Sequence, residues 1–188
     1  GRISLSNVNV MITGEAGTGK EQIARLIHYS GINRDHPFLS VNCHSAEEEL
    51  LEQELFGFSS LSGNSGSKKK GKLELAGEGT LYLDEFTQMS MRMQNKILRV
   101  LQNQCFEKPE SGEIIPVKAR FIAATKEDIG RLITHEEFLA DLYYHIKVFR
   151  IHIPPLRERK EDIPELLKIL LGRLNRRLNR HVLKVEDG

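Results

Sequence analysis

Residues Val8 to Glu21 read VNVMITGEAGTGKE, a short apolar run that gives way at Gly14 to a glycine-rich turn closed by a lysine. VNVMIT (Val8 to Thr13) is β-branched and bounded by polar residues, the pattern of a buried strand. In QIARLIHYS, which follows the turn, Ile23, Leu26 and Ile27 fall at helical spacing. GEAGTGK (Gly14 to Lys20) satisfies G-x-x-x-x-G-K between that strand and that helix, the context of a phosphate-binding loop. Glycines let backbone N–H groups wrap around phosphates, and Lys20 reaches the β and γ phosphates at the positive end of the helix. Gly14, Glu15, Ala16, Gly17, Thr18, Gly19, Lys20 and Glu21 are therefore the candidate nucleotide-binding residues, with ATP or ADP as the ligand.

Glu21 stands where a Ser or Thr hydroxyl usually holds Mg²⁺, so the magnesium must rely on another group. TLYLDE (Thr80 to Glu85) offers one. Asp84, at the end of a predicted strand, would hold Mg²⁺ through water, and Glu85 would orient or deprotonate the attacking water. The plainer reading is a Gly-rich turn and a carboxylate pair that caps a strand, and the joint occurrence of both motifs in one α/β pattern argues against it.

The rest of the chain has the same alternation. PFLSVN (Pro37 to Asn42), Phe121 to Thr125 and KVFRIHI (Lys147 to Ile153) read as strands, the last stopped by Pro154 and Pro155. AEEELLEQELF, SMRMQNKILRVLQ, Glu136 to His145 and Ile163 to about Leu178 read as helices. Strands alternating with helices predict an α/β fold, a doubly wound parallel sheet. The 188 residues carry 27 basic and 26 acidic side chains, a net charge of +1 that removes any global electrostatic case for nucleic acid or an anionic membrane. No apolar run approaches a membrane span and no signal-peptide pattern opens the chain. Cys43 and Cys105 lack metal-ligand spacing and are read as structural thiols of a cytoplasmic protein.

Further strings identify a resemblance. GEAGTGKE is similar to the GESGTGKE of the AAA+ ATPase domain of bacterial enhancer-binding proteins, the NtrC-like activators of sigma-54 RNA polymerase. VNC (Val41 to Cys43), ELFG (Glu54 to Gly57), GTLYLDE (Gly79 to Glu85), KILRVLQ (Lys96 to Gln102), IAAT (Ile122 to Thr125), DLYYHI (Asp141 to Ile146) and PPLRERKEDIP (Pro154 to Pro164) match in order across nearly the whole chain. The resemblance implies a P-loop AAA+ core over residues 1–162 and the start of a helical lid over 163–188. It also implies a catalytic pair in which Asn42 holds Glu85 inactive until nucleotide is sensed, and a polar sensor at Thr125 and Lys126. The parent protein would extend further, with a DNA-binding domain outside this chain, and would self-associate and engage RNA polymerase holoenzyme.

Two departures qualify what the resemblance implies. ELFG is followed in the family by a loop carrying GAFTGA, which contacts sigma-54. Here the segment from 58 to 72 reads FSSLSGNSGSKKKGK, in which no GAFTGA can be aligned, and its composition predicts a solvated, mobile loop. The family also places two arginines that reach a neighbour's γ-phosphate, and Leu139 and His145 stand at those positions. These departures favour a transcription regulator that keeps the nucleotide pocket as a switch or assembly element, with ATP hydrolysis weak or absent. The alternative is an active, ring-forming ATPase that activates sigma-54 polymerase, and a P-loop enzyme unrelated to transcription is a distant third. The chain resembles in this those regulators of the lineage, biofilm regulators of the VpsR type among them, that lack GAFTGA, act with the housekeeping sigma factor and sense a second ligand such as cyclic di-GMP. Arg25 and Arg34 are the candidate contacts for its phosphates, against the ordinary reading of each as a solvated arginine.

Overall fold

A computed structural model of the chain describes residues 6–44, 47–59, 68–108, 112–180 and 182. In chain order the elements are β1 (Val10–Thr13), α1 (Lys20–Tyr29), β2 (Phe38–Asn42), α2 (Glu48–Phe56), β3 (Gly57–Ser59), β4 (Lys68–Lys70), α3 (Lys72–Leu75), β5 (Thr80–Asp84), α4 (Met91–Asn103), β6 (Cys105–Glu107), β7 (Ile114–Pro116), β8 (Arg120–Thr125), α5 (Ile129–Thr134), α6 (Ala140–Ile146), β9 (Phe149–His152) and α7 (Ile163–Leu178). Five of the strands form one parallel sheet in the order β2-β5-β8-β1-β9. β1 lies between β8 and β9, and every residue of β1 and β8 is buried, which is why both read as continuous apolar runs instead of alternating ones.

The alternation survives within those runs as a choice of core. Met11, Leu81, Leu83, Phe121 and Ala123 pack on one face with residues of α2, α4 and α6. Val10, Ile12, Tyr82, Ile122 and Ala124 pack on the other with Ala24 and Ile27 of α1. Side chains of successive strand residues point to opposite faces, so a parallel strand buried on both sides feeds two cores at once. Parallel neighbours cannot be joined by tight turns, and the helices supply the crossovers.

α4 shows how local sequence sets an element. Ser90 caps it by accepting the Met93 N–H at 3.2 Å, and Gln104 ends it in the left-handed conformation, φ 52°. Met93, Ile97 and Val100 lie along its buried face. Ser90→Ala is expected to cost this domain about 1 kcal/mol, measured as a lower urea midpoint with an unchanged slope. An unchanged midpoint would show that the cap contributes nothing.

Several elements differ from the sequence reading. Residues 58–59 and 68–70, expected in a solvated loop, form with Gly57 an antiparallel ladder, Gly57 opposite Lys70 and Ser59 opposite Lys68. Gly57 sits at φ 83° with the backbone of Gly71 so close that neither position has room for a Cβ atom, so two glycines close the base of the segment. Lys70 pairs with Glu74 at 2.8 Å and Lys72 with Glu54 at 2.5 Å, which removes two of the lysines from the pool of free charge. Residues 60–67 of that loop, and Ala46 at the start of the expected second helix, lie outside the described residues.

The β6/β7 hairpin and the six-residue α5 have no counterpart in the sequence reading, being too short for periodicity to register. The helix expected over 136–145 begins only at Ala140. Glu136 is left-handed at φ 58°, and the buried Gln94 pins the connection: its amide donates to the Glu137 carbonyl at 3.1 Å, and its carbonyl accepts the Leu139 N–H at 2.9 Å. The strand expected over 147–153 narrows to β9.

By their contacts the residues form two units that part between Ile153 and Pro154, whereas the sequence reading places the boundary at 162/163. The second unit holds two short 3-10 turns and α7, whose span agrees with the expected helix. Pro164 falls in its first turn and Asn179 ends it at φ 49°. Leu166, Leu167, Leu170, Leu174 and Leu178 along it are all exposed.

Candidate functional site

The register gathers the ends of the parallel strands on one rim. Thr13 lies opposite both Thr125 and His152, and Asn42 lies opposite Asp84. In open α/β sheets ligands bind beyond this carboxyl-terminal edge, where the chain leaves adjacent strands in different directions. The loop after β1 starts there, anchored by the Gly14 N–H on the Thr125 carbonyl at 3.2 Å. Within it the Thr18 N–H and hydroxyl both donate to the Glu15 carbonyl, at 3.3 and 2.8 Å. Gly17 and Gly19 are left-handed, φ 79° and 92°, a conformation that lets the backbone curl before α1 begins at Lys20.

Lys20 is 7% exposed. Its ammonium donates to the carbonyls of Gly14 at 3.0 Å and Glu15 at 3.3 Å, and lies 3.3 Å from Glu85 Oε1. The other Glu85 oxygen accepts the Lys126 N–H at 3.2 Å, and Glu85 itself is left-handed at φ 49°, which turns its side chain back across the rim. The structure thus brings Lys20, Glu85 and the end of β8 together. It does not bring Asn42 to Glu85: the Asn42 side-chain carbonyl accepts the His44 N–H at 3.0 Å in a local turn, and the Glu85 oxygens go to Lys20 and Lys126.

Thr125 is fully buried, its hydroxyl 2.8 Å from that of Thr87 and accepting the Glu127 N–H at 3.0 Å. The Lys126 side chain is exposed. Asp84 accepts a hydrogen bond from the Tyr82 hydroxyl at 2.9 Å. Glu21 Oε1 accepts two bonds from Arg25, at 2.9 Å from Nε and 2.7 Å from Nη2. Arg25 also lies over the Phe38 ring, 4.6 Å from its centre. Arg34 is exposed beside Asp35 at 3.4 Å. Of the two candidate arginines, then, Arg25 is committed to Glu21 and Phe38.

Between the glycine loop and the end of β5 opens a cavity of about 390 Å³, lined by Gly17, Gly19, Lys20, Tyr82, Asp84 and Glu85 among others. Its lining combines a lysine, a helix N-terminus and the carboxylates of Glu21, Asp84 and Glu85, a donor set suited to a phosphate chain that arrives with a divalent cation. Among the described residues no cluster of His, Cys, Asp or Glu could hold a metal ion on its own. Mg²⁺ typically takes one or two carboxylates and completes its shell with phosphate oxygens and water, so Asp84 fits such an ion.

The sequence reading missed the Tyr82 and Arg25 contacts. The first was legible, since Tyr82 and Asp84 are two apart on a strand and must share a face. Burial pushes the Tyr82 phenol well above its usual range, and the neighbouring Asp84 pushes the same way, so it stays a donor. Burial likewise raises the Cys43 thiol, as expected of a structural cysteine, with Asp84 adding to it.

At the two positions compared with arginines, Leu139 is half-buried against the larger core with its N–H on Gln94. His145 is exposed and its Nδ1 donates to the Asp141 carbonyl at 2.9 Å. No helix among the described residues is long and apolar enough to cross a membrane.

Sheet order, glycine loop and rim carboxylates together define a P-loop nucleoside triphosphatase fold of the AAA+ class. Residues 1–152 match the model of the sigma-54 interaction domain, and the chain belongs to that family. It is 48% identical over 168 residues to a Nif-specific regulatory protein of Herbaspirillum seropedicae, covering 88% of this chain and 31% of that protein. It is 43% identical over 181 residues to the formate hydrogenlyase transcriptional activator FhlA of Escherichia coli, covering 96% and 26%. Among solved structures it is similar to NtrX of Brucella abortus in complex with ATP, with TM-score 0.85 and 37% identity over 93% of this chain and 39% of that one. The chain spans about a third or less of the curated relatives it matches.

Proposed function

We propose that this chain is the central AAA+ domain of a bacterial transcriptional regulator that binds ATP or ADP with Mg²⁺ as a switch or assembly element, its hydrolysis and its remodelling of sigma-54 polymerase lost. Residues 14–21 take the phosphates, with Lys20 exchanging Glu85 for the β and γ oxygens. Asp84 holds the magnesium through water, Glu85 faces the water near the γ-phosphate, and Thr125 and Lys126 report on it. Asn42 is the partner that Glu85 takes up in another nucleotide state. NtrX of Brucella abortus, which shares the fold at 37% identity, was solved with ATP and with ADP.

The observation that carries the loss of hydrolysis is the state of two side chains. Leu139 packs on the core and His145 is turned onto its own helix, where the family supplies arginines. The absence of GAFTGA between Gly57 and Gly71 supports the loss of remodelling. The partners are then a polymerase holoenzyme carrying another sigma factor, a second copy of the chain, and DNA through a domain elsewhere in the parent protein. A second ligand such as cyclic di-GMP, as in the VpsR type, would need a contact other than Arg25, which Glu21 occupies.

A second reading, an active ring-forming ATPase acting on sigma-54 polymerase, is favoured by the 48% identity to a Nif-specific regulator. Open-complex formation by the intact protein with each holoenzyme separates the two. The expected result is opening with the housekeeping holoenzyme only. ATP-dependent opening with the sigma-54 holoenzyme would establish the second reading.

A further inference from the structure

We propose that the Tyr82 hydroxyl positions Asp84 for a divalent cation, holding one carboxylate oxygen so that the other is presented to the metal that accompanies bound nucleotide. The inference rests on the nucleotide reading of this site and adds to it a residue of the second motif to which that reading gives no role. A carboxylate on a short side chain turns readily about its last torsion, whose profile is broad and two-fold. At the end of β5 the Tyr82 hydroxyl, 2.9 Å from Oδ1, is the side-chain donor among the described residues that restrains that turn. Tyr82 is itself fixed, being 1% exposed with its ring stacked on Phe38 at 6.0 Å and 22°.

Phe38 in turn carries the Arg25 guanidinium on its ring, and Arg25 holds Glu21 in the first turn of α1. A row of flat groups therefore runs from the Glu21 carboxylate of α1 to the Asp84 carboxylate of β5, and both line the same cavity. Phenylalanine would fill the ring's space equally well. What tyrosine adds is one oxygen, and that oxygen is spent on Asp84. Groups that orient a metal-binding carboxylate from behind change metal affinity on the order of 10- to 100-fold when removed.

The test is Tyr82→Phe in the intact protein, read by fluorescent ADP binding titrated with Mg²⁺ and repeated in EDTA, alone and in an Asp84→Asn background. The expected result is that the ratio of Mg²⁺-loaded to Mg²⁺-free affinity falls about tenfold on Tyr82→Phe, and that the same change has no further effect once Asp84 is Asn. An unchanged ratio, or an equal loss in both backgrounds, overturns the role of Tyr82. A failure of the unsubstituted protein to bind ADP at all overturns the nucleotide reading instead, so the two failures are distinguishable.

Discussion

Lys20→Ala is expected to lower the affinity of the intact protein for ADP and ATP by two orders of magnitude or more. The Lys20 ammonium is the cation at the centre of the glycine loop, 7% exposed and held by two loop carbonyls and Glu85. Hydrogen bonds to charged groups contribute about 1.5–3 kcal/mol each, so losing the contacts to two phosphates costs about 3–6 kcal/mol. The substitution also leaves Glu85 without its ion-pair partner at the mouth of an anion site, which adds repulsion to the lost attraction. Lys20→Arg should not restore binding, because a planar fork does not fit a space shaped for a compact ammonium. Fluorescent ADP titration reads the result, with the melting curve as control for the three interactions that Lys20 makes with Gly14, Glu15 and Glu85. Retention of affinity within threefold would show that phosphates do not sit on this loop.

The second large effect concerns turnover. If Leu139 and His145 supply no finger, steady-state ATP hydrolysis by the intact protein stays within twofold of its Glu85→Gln variant at every protein concentration. An arginine finger is worth about 10³ to 10⁵ in rate, or roughly 4–7 kcal/mol of transition-state stabilisation. Neither an aliphatic side chain packed on the core nor an imidazole committed to its own helix can make a planar bidentate contact with a phosphoryl group. Turnover that climbs steeply with concentration and vanishes in Glu85→Gln would overturn this, since it would require a ring with some other cation at the interface. Restoring both arginines should still give no sigma-54-dependent open complexes, because Gly57 to Gly71 lacks the contact sequence.

Much of the site was legible before the fold was. Residues 14–20 carry the G-x-x-x-x-G-K pattern between a strand and a helix, and the backbone curvature that demands glycine there is seen at Gly17 and Gly19. Asp84 and Glu85 were legible as the polar end of a buried strand. Their partners were not. That Glu85 is held by Lys20 and Lys126, and Asn42 by His44, depends on which strand ends meet across the sheet and on a left-handed φ at Glu85. The two ends of the segment between Gly57 and Gly71 differ from their sequence reading for another reason. The segment's composition is that of a loop, and the pairing of Gly57–Ser59 with Lys68–Lys70 came from the close approach of two glycines at its base, a contact between distant residues.

By itself the sequence determined the class of this protein: buried apolar runs, amphipathic helices and a glycine turn at defined spacing admit a parallel, doubly wound P-loop fold, because each of those signals is local and is set by backbone sterics and burial. Only the tertiary structure decided the strand order β2-β5-β8-β1-β9, the ion pair between Lys20 and Glu85, and the hydrogen bond that Tyr82 makes to Asp84. Those depend on the order and register in which strands are stacked side by side, which arises from the packing of the two cores as a whole and from no single stretch of residues.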